Sequence, residues 1–189
     1  MGRDRSARWF ARLANIERMF VLGIDPGLTR CGFGVVTRSS GGPSMLTAVA
    51  AGVLETDVEL GVDRRLAQLA GDLNDLLDEV QPDCVVVERI LFQANVRTAV
   101  SVAQASGLAL CAAAQRDLPT AQYSPNEVKQ SVVGNGSATK AQVAAMVAQM
   151  CGLDAPPSPP DAADALALAI CHLSGVRLGK AIDAAGARR

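Results

Sequence analysis

Four carboxylates lie where a predicted strand or helix begins or ends, beside glycine, proline or arginine. They are Asp25 before Pro-Gly, Glu88 before Arg89, and Asp161 and Asp164 after a run of prolines. An ionised carboxylate that ends a buried strand carries a large desolvation cost unless a cation lies close to it. Carboxylate oxygens are also the ligands that Mg²⁺ prefers. The four positions therefore predict a metal site assembled from distant segments of the chain.

Each carboxylate also has an explanation that involves no chemistry. Asp25 followed by Pro-Gly is good turn sequence, and Glu88 could pair with Arg89. Asp161 could cap a helix, and Asp164 could face the positive end of its dipole. Four carboxylates in one place would nevertheless repel one another unless a divalent cation lay between them. Two ions held in this way support in-line hydrolysis of a phosphodiester with water as the nucleophile.

The composition is typical of a globular domain. With 189 residues, of which 49% are hydrophobic and 20% charged, the chain fits one domain with a sizeable core. Its five cysteines lack metal-binding or disulfide spacing, and no apolar run approaches the ~18 residues that cross a bilayer. We therefore expect a soluble cytoplasmic protein without a membrane partner. The net charge is −1, yet between positions 89 and 149 five basic residues stand against two acidic ones, so nucleic acid could bind locally.

Hydrophobic periodicity predicts an α/β protein with a mixed five-stranded sheet flanked by helices on both faces. The uniformly apolar run 84–88 is typical of a buried central strand. The first two strands are expected to be antiparallel, because only a short loop separates them. The predicted strands cover 20–24, 33–37, 46–56, 84–88 and 118–123, and the predicted helices cover 66–80 and 96–115 and begin again at 125, 139 and 161.

We expect a single domain with a short additional segment at each end. Residues 1–19 are interpreted as an N-terminal extension that is either disordered or the result of a misassigned translation start. Residues 174–189 are interpreted as a flexible tail. The domain itself would span 20–173. The proline-rich run at 156–160 is not a linker to a second domain, because too few residues follow it for a second core. Its prolines restrict the chain to extended conformations and so fix where Asp161 begins the last helix.

Four motifs, taken together and in order, resemble one known family. They are GIDPGLTRCG at 23–32, VVER at 86–89, GNGSA at 134–138 and DAADALA at 161–167. These resemble the motifs of the bacterial RuvC Holliday-junction resolvases over residues 20 to 173. The resemblance implies an RNase H-like fold and symmetric cleavage of four-way DNA junctions in recombination and repair. It also implies Mg²⁺, or Mn²⁺ in its place, bound by the residues that match the family's carboxylates: Asp25, Glu88, Asp161 and Asp164.

The resemblance further implies partners and DNA contacts. Relatives act as homodimers with the branch-migration proteins RuvA and RuvB, and the helix at 96–115, which is rich in small residues, would then form the dimer seam. Lys129 and Lys140 match basic residues near the scissile phosphate, and Arg89 is a further expected DNA contact. Three positions after the matching glutamate the family often carries an aromatic wedge, a role that falls here to Leu91 or Phe92.

Two other functions fit part of the sequence. An actin-like nucleotide or sugar kinase also opens with a Gly-Ile-Asp-x-Gly hairpin around phosphate. Such kinases need two domains of this kind, whereas this chain shows one hairpin. The other alternative is a catalytically idle junction-binding module. The intact carboxylates argue against this alternative. The sequence therefore predicts a metal-dependent, structure-selective endonuclease.

Overall fold

A mixed sheet of five strands forms the centre of the protein. The computed structural model describes residues 19–38, 46–90 and 96–186. In these residues the strands are β1 (Val21–Asp25), β2 (Arg30–Arg38), β3 (Leu46–Glu55), β4 (Cys84–Glu88) and β5 (Thr120–Tyr123). They lie in the order β3-β2-β1-β4-β5, with antiparallel pairing of β1 to β2 and of β2 to β3. The pairs β1–β4 and β4–β5 are parallel, so the predicted mixed sheet is confirmed.

Helices cover both faces of this sheet, as predicted. They are α1 (Val62–Val80), α2 (Val96–Gln115), α3 (Pro125–Val133), α4 (Lys140–Cys151) and α5 (Pro160–Gly186). Successive residues of a strand point to opposite faces. Leu22 and Ile24 of β1 therefore join a core with α1 and α2, whereas Val21 joins a second core with α3, α4 and α5. Burial on both faces explains why β1 and β4 are nearly continuous apolar runs.

Glycines on β1 and β2 let α5 lie directly against the sheet. A Cβ atom added to Gly23 would clash with the carbonyl oxygen of Ala165. One added to Gly32 would lie 2.7 Å from the carbonyl carbon of Asp161, and Gly34 is equally close to the same helix. Because no larger residue fits at these positions, the glycines determine how close the first turns of α5 come to β1 and β2.

Several element boundaries differ from the predictions; α1, for example, begins at Val62, four residues earlier than expected, and β5 begins at Thr120, two residues later. Two other differences bear on the site. β2 begins at Arg30 and not at residue 33, because Arg30 already pairs with Glu55 across the sheet. The polar and small residues at the start of β2 are not typical of strands, so the sequence did not predict the earlier start. α5 begins at Pro160, so Asp161 lies in the first turn and is not the N-cap. Proline is favoured at the first helical position, which explains the earlier start. The helix continues to Gly186, past Leu173.

Some predictions fall outside the residues that the structure describes. They concern residues 1–18 of the N-terminal extension and both candidate wedge residues, Leu91 and Phe92. Met19, by contrast, is described, and its side chain is buried in the core beneath α5. Within the described ranges, no helix is long and apolar enough to cross a membrane.

Candidate metal centre

Asp25 and Glu88 lie side by side at the ends of the two central strands. β1 and β4 run parallel with Ile24 level with Val87, so the next residue of each strand is a carboxylate. Burial raises the pKa of Glu88, and a side-chain hydrogen bond with Asp25 opposes that rise. The expected placement of these two residues on neighbouring central strands is confirmed.

Burial and mutual repulsion keep a proton on this pair. Burial, followed by the negative charges of Glu88 and Asp164, raises the pKa of Asp25 from 3.8 to about 7. Burial also raises the pKa of Glu88. The positive charge of Lys140 lowers the pKa of both carboxyl groups but does not offset the effect of burial. A divalent cation could replace the proton, because metal binding requires deprotonated ligands.

The first turns of α5 bring the other two carboxylates to the same end of the sheet. Asp161 and Asp164 are three positions apart and share one face of the helix. Lys140, the first residue of α4, donates from Nζ to Oδ2 of Asp164 at 2.6 Å, and this hydrogen bond raises the pKa of Lys140. Thr139 caps α4 and thereby fixes the backbone that carries this lysine.

Most of the predicted site residues that the structure describes line one cavity. It has a volume of about 190 Å³ and lies where α3, α4 and α5 meet the ends of β1 and β4. Its polar lining residues are Asp25, Glu88, Asp164, Lys129 and Lys140, and its apolar lining residues are Pro125, Val128, Val143, Ala167 and Leu168. Three carboxylates and both lysines, which are far apart in sequence, therefore meet in one concave site.

Asp161 lies beside this cavity and not in its lining. Its Oδ2 accepts a hydrogen bond from Nε of Arg30 at 2.9 Å. Its charge is still close enough to raise the pKa of Asp25. Sequence reasoning did not select Arg30 as a site residue, although it belongs to the first motif. The signal that could have found it is a lone cation directly after the turn that follows Asp25.

The donor groups suit a hard divalent cation. All four are carboxylates, whose oxygens bind Mg²⁺ and Mn²⁺. Burial, and after it the charges of Glu88 and Asp164, raise the pKa of Asp25, so a cation there would favour its ionised form. In the part of the chain that the structure describes, no three Asp, Glu, His or Cys side chains are already close enough together to hold an ion. A Mg²⁺ ion can be held through one or two carboxylates, with waters at its other coordination positions.

Arg89 does not line the cavity. It donates a hydrogen bond to the carbonyl oxygen of Gln122 at 2.8 Å and another to Glu127 at 3.2 Å. Glu127 also accepts from the backbone amide of Ser124 and so completes the capping box of α3. Arg89 thus ties the end of β4 to β5 and to the helix that carries Lys129. Its predicted contact with DNA stays a prediction.

Known proteins share this sequence over most of its length. A model of the family described as crossover junction endodeoxyribonuclease RuvC matches residues 21–172. The crossover junction endodeoxyribonuclease RuvC of Streptomyces avermitilis is 54% identical over 157 residues, which cover 82% of this chain and 87% of the relative. That of Salinispora arenicola is 50% identical over 173 residues and covers 90% of this chain and 98% of the relative.

Solved structures share the fold. The RuvC structure from Thermus thermophilus has a TM-score of 0.78 and 35% sequence identity, covering 85% of this chain and 97% of that one. A T. thermophilus RuvC in complex with Holliday junction substrate has the same TM-score and identity and covers 85% and 96% of the two chains. The yeast mitochondrial Holliday junction resolvase Ydc2 shares the fold at 16% identity, with a TM-score of 0.61 and coverage of 87% and 84%. The predicted RNase H-like fold is confirmed.

Proposed function

Because this chain belongs to the RuvC family of crossover junction endodeoxyribonucleases, we propose that its converging carboxylates are the metal ligands of a junction-cutting site. The protein is a Holliday-junction endonuclease, and its family indicates dependence on a divalent metal. The ligands would be Asp25, Glu88, Asp161 and Asp164. The family match supports neither the kinase-type alternative nor the idle junction-binding module.

The observation that carries this proposal is the shared cavity. Asp25, Glu88 and Asp164 line it together with two lysines, so groups that bind a cation and groups that bind a phosphate lie within one concave surface. The protein's overall charge is close to neutral, but binding depends on where charges converge. The lysines would hold a scissile phosphate directly, and the carboxylates would hold it through the bound cation.

Rigid strands fix two of the ligands for the reaction. Asp25 and Glu88 end strands that are buried on both faces, so their backbones have little freedom to move. When bound, the metal would supply an activated water nucleophile and stabilise the leaving oxygen. Asp25 must be deprotonated to act as a ligand, because metal binding requires deprotonated carboxylates.

We propose Mg²⁺ as the ion, with Mn²⁺ able to replace it. A site made only of carboxylate oxygens suits both ions, because neither needs imidazole or thiolate ligands. Mg²⁺ retains several of its waters when bound, and the open side of the cavity leaves room for them.

We also propose that the protein acts as a homodimer, with RuvA and RuvB as partners. Two sites related by a two-fold axis suit a two-fold symmetric junction. Of the small residues of α2, Ala105 and Ala109 are buried within the protomer. Val100 of the same helix is 51% exposed, and Gly107 has open space around it. We expect the second protomer at this outer face of α2.

Replacing Lys129 with Ala tests the proposed path of the DNA. Lys129 is preferable to Lys140 because the latter is paired with Asp164. If Lys129 contacts a phosphate, its loss should weaken junction binding regardless of sequence and reduce the slope of log K against log salt by about 1. Fluorescence anisotropy of a labelled four-way junction in EDTA, over a series of NaCl concentrations, measures this slope.

The charge-retaining variant Lys129→Arg is the matched control. It should keep the wild-type slope, because the slope reports the number of neutralised phosphates and not the shape of the side chain. A wild-type slope and affinity in Lys129→Ala would contradict the placement of the DNA backbone along this cavity.

A further inference from the structure

Arg30 connects Asp161 to Glu55, a second carboxylate outside the cavity. Its Nε donates to Oδ2 of Asp161 at 2.9 Å, and its Nη1 donates to Oε1 of Glu55 at 2.5 Å. Arg30 begins β2, and Glu55 ends β3 as its cross-strand partner. The guanidinium therefore spans from the edge of the sheet to the first turn of α5, with one arm on each acid.

The backbone that carries Arg30 is held in place by its neighbours. Thr56, which is buried, donates from its amide to the carbonyl oxygen of Thr29 at 3.2 Å and from Oγ1 to that of Leu28 at 2.6 Å. Arg65 donates to the hydroxyl oxygens of Thr56 and Thr29 at 2.9 and 2.6 Å. Arg30 thus extends from an anchored hairpin, and its side chain is directed by Glu55.

Stability alone does not explain this arrangement. The Arg30 and Asp161 side chains are 42% and 32% exposed, and ion pairs with this exposure contribute little to folding. Glu55 offsets the charge of Arg30, so the negative charge of Asp161 remains available to a cation. Arg30 engages Oδ2 of Asp161, which leaves Oδ1 as a ligand atom. The planar guanidinium fork can hold two carboxylates in a fixed relation, which an ammonium group cannot do.

We infer that Arg30 is a positioning residue of the metal centre, which orients Asp161 as a ligand and is itself held by Glu55. This inference rests on the proposed function, because it takes Asp161 to be a metal ligand. Hydrogen bonds to the ligands of a metal limit their rotations, and loss of such a partner typically costs ~10- to ~100-fold in metal affinity or activity. In this arrangement Glu55 need not contact either the ion or the DNA.

The experiment measures Mn²⁺ binding to the metal-free full-length protein, by electron paramagnetic resonance of the free ion. Arg30→Ala should raise the Kd for Mn²⁺ about 10-fold or more. Arg30→Lys should recover part of this loss, because its ammonium can still donate to Asp161 but lacks the second arm. Glu55→Gln should shift the Kd in the same direction by a smaller factor.

Cleavage provides the second readout. At saturating metal, the single-turnover rate of Arg30→Ala on a four-way junction should fall ~10- to ~100-fold, with an unchanged Kd for the junction in EDTA. Arg64→Ala is the matched control: it also removes one arginine, but Arg64 is 78% exposed and lies 4.0 Å from its acidic partner Asp63. This control should match the wild type in both measurements.

Two results for Arg30→Ala would overturn the inference. One is wild-type Mn²⁺ binding and cleavage. The other is tighter Mn²⁺ binding, which would mean that Arg30 competes with the ion for Asp161. The variant Asp161→Asn, measured in parallel, separates this inference from the proposed function. Unaltered Mn²⁺ binding in Asp161→Asn would contradict the proposed ligand set, whereas loss of binding there with normal binding in Arg30→Ala would overturn only the role of Arg30.

Discussion

Replacing Asp25 with Asn should abolish cleavage of a four-way junction and leave junction binding intact. The amide has the shape of the carboxylate but removes the negative charge at the end of β1, beside Glu88. Loss of one metal ligand is expected to raise the barrier by about 4 kcal/mol, which is roughly a 1000-fold loss of rate. Single-turnover cleavage and a gel-shift titration in EDTA measure the two effects separately.

The same variant should be more stable than the wild type when no metal is bound. The pKa of Asp25 in the folded protein, about 7, lies above its ordinary value of 3.8. The folded state therefore binds this proton more tightly than the unfolded chain does, and wild-type stability falls as pH rises from 3.8 to about 7. At about 1.4 kcal/mol per pKa unit, the ionised group costs on the order of 4 kcal/mol at pH 8. Asn removes that cost, as chemical denaturation in EDTA at pH 8 would measure.

Asp75→Asn is the control for both effects. Asp75 is exposed on α1, whose apolar side packs against the opposite face of the sheet from α5. Its replacement removes the same charge and should change neither cleavage nor stability by a measurable amount. Full cleavage by Asp25→Asn in Mg²⁺ would contradict the assignment of Asp25 as a ligand.

Replacing Gly32 with Ala should have the second largest effect, although Gly32 carries no chemistry. The new Cβ would lie 2.7 Å from the carbonyl carbon of Asp161, a backbone atom that cannot move unless the start of α5 moves with it. Overpacking of this kind costs ~1 to ~3 kcal/mol of stability. Displacement of the Asp161 carboxylate by about 1 Å should cost about 100-fold in cleavage rate. Denaturant unfolding and single-turnover cleavage measure the two losses.

Gly71→Ala is the matched control for this substitution. Gly71 lies within α1, and a Cβ there would meet nothing within 4 Å. Because glycine is unfavourable inside a helix, the replacement should stabilise the protein by ~0.5 to ~1 kcal/mol and leave cleavage unchanged. Wild-type stability and cleavage in Gly32→Ala would show that α5 is not held against the sheet as described.

The strand-borne half of the site could be predicted from the sequence for a physical reason. β1 and β4 are buried on both faces, so each is a short apolar run, and the polar residue that ends it stands out. Asp25 and Glu88 are the residues at these two ends. The helical periodicity of α1 and the prolines before α5 are likewise local features, and each correctly predicted a helix.

The contacts between segments could not be predicted in the same way. Arg30 and Asp161 are 131 positions apart, and a lone arginine in a hairpin has no local feature that identifies its acidic partner. The same holds for Lys140, which looks like an ordinary solvated lysine until α4 places it on Asp164. Gly32 belongs to the first motif, but its role is to admit the backbone of a helix that is distant in sequence.

Strand-resolved cleavage of a synthetic four-way junction tests the central claim most directly. Each strand is labelled in turn, and the wild-type protein is incubated with the junction or with linear duplex of the same sequence, in Mg²⁺ or in EDTA. We predict paired cuts at symmetric positions in two strands of the junction, in Mg²⁺ alone, with the duplex left intact. Equal cutting of the duplex, or cleavage that persists in EDTA, would contradict a metal-dependent, junction-selective site built from these carboxylates.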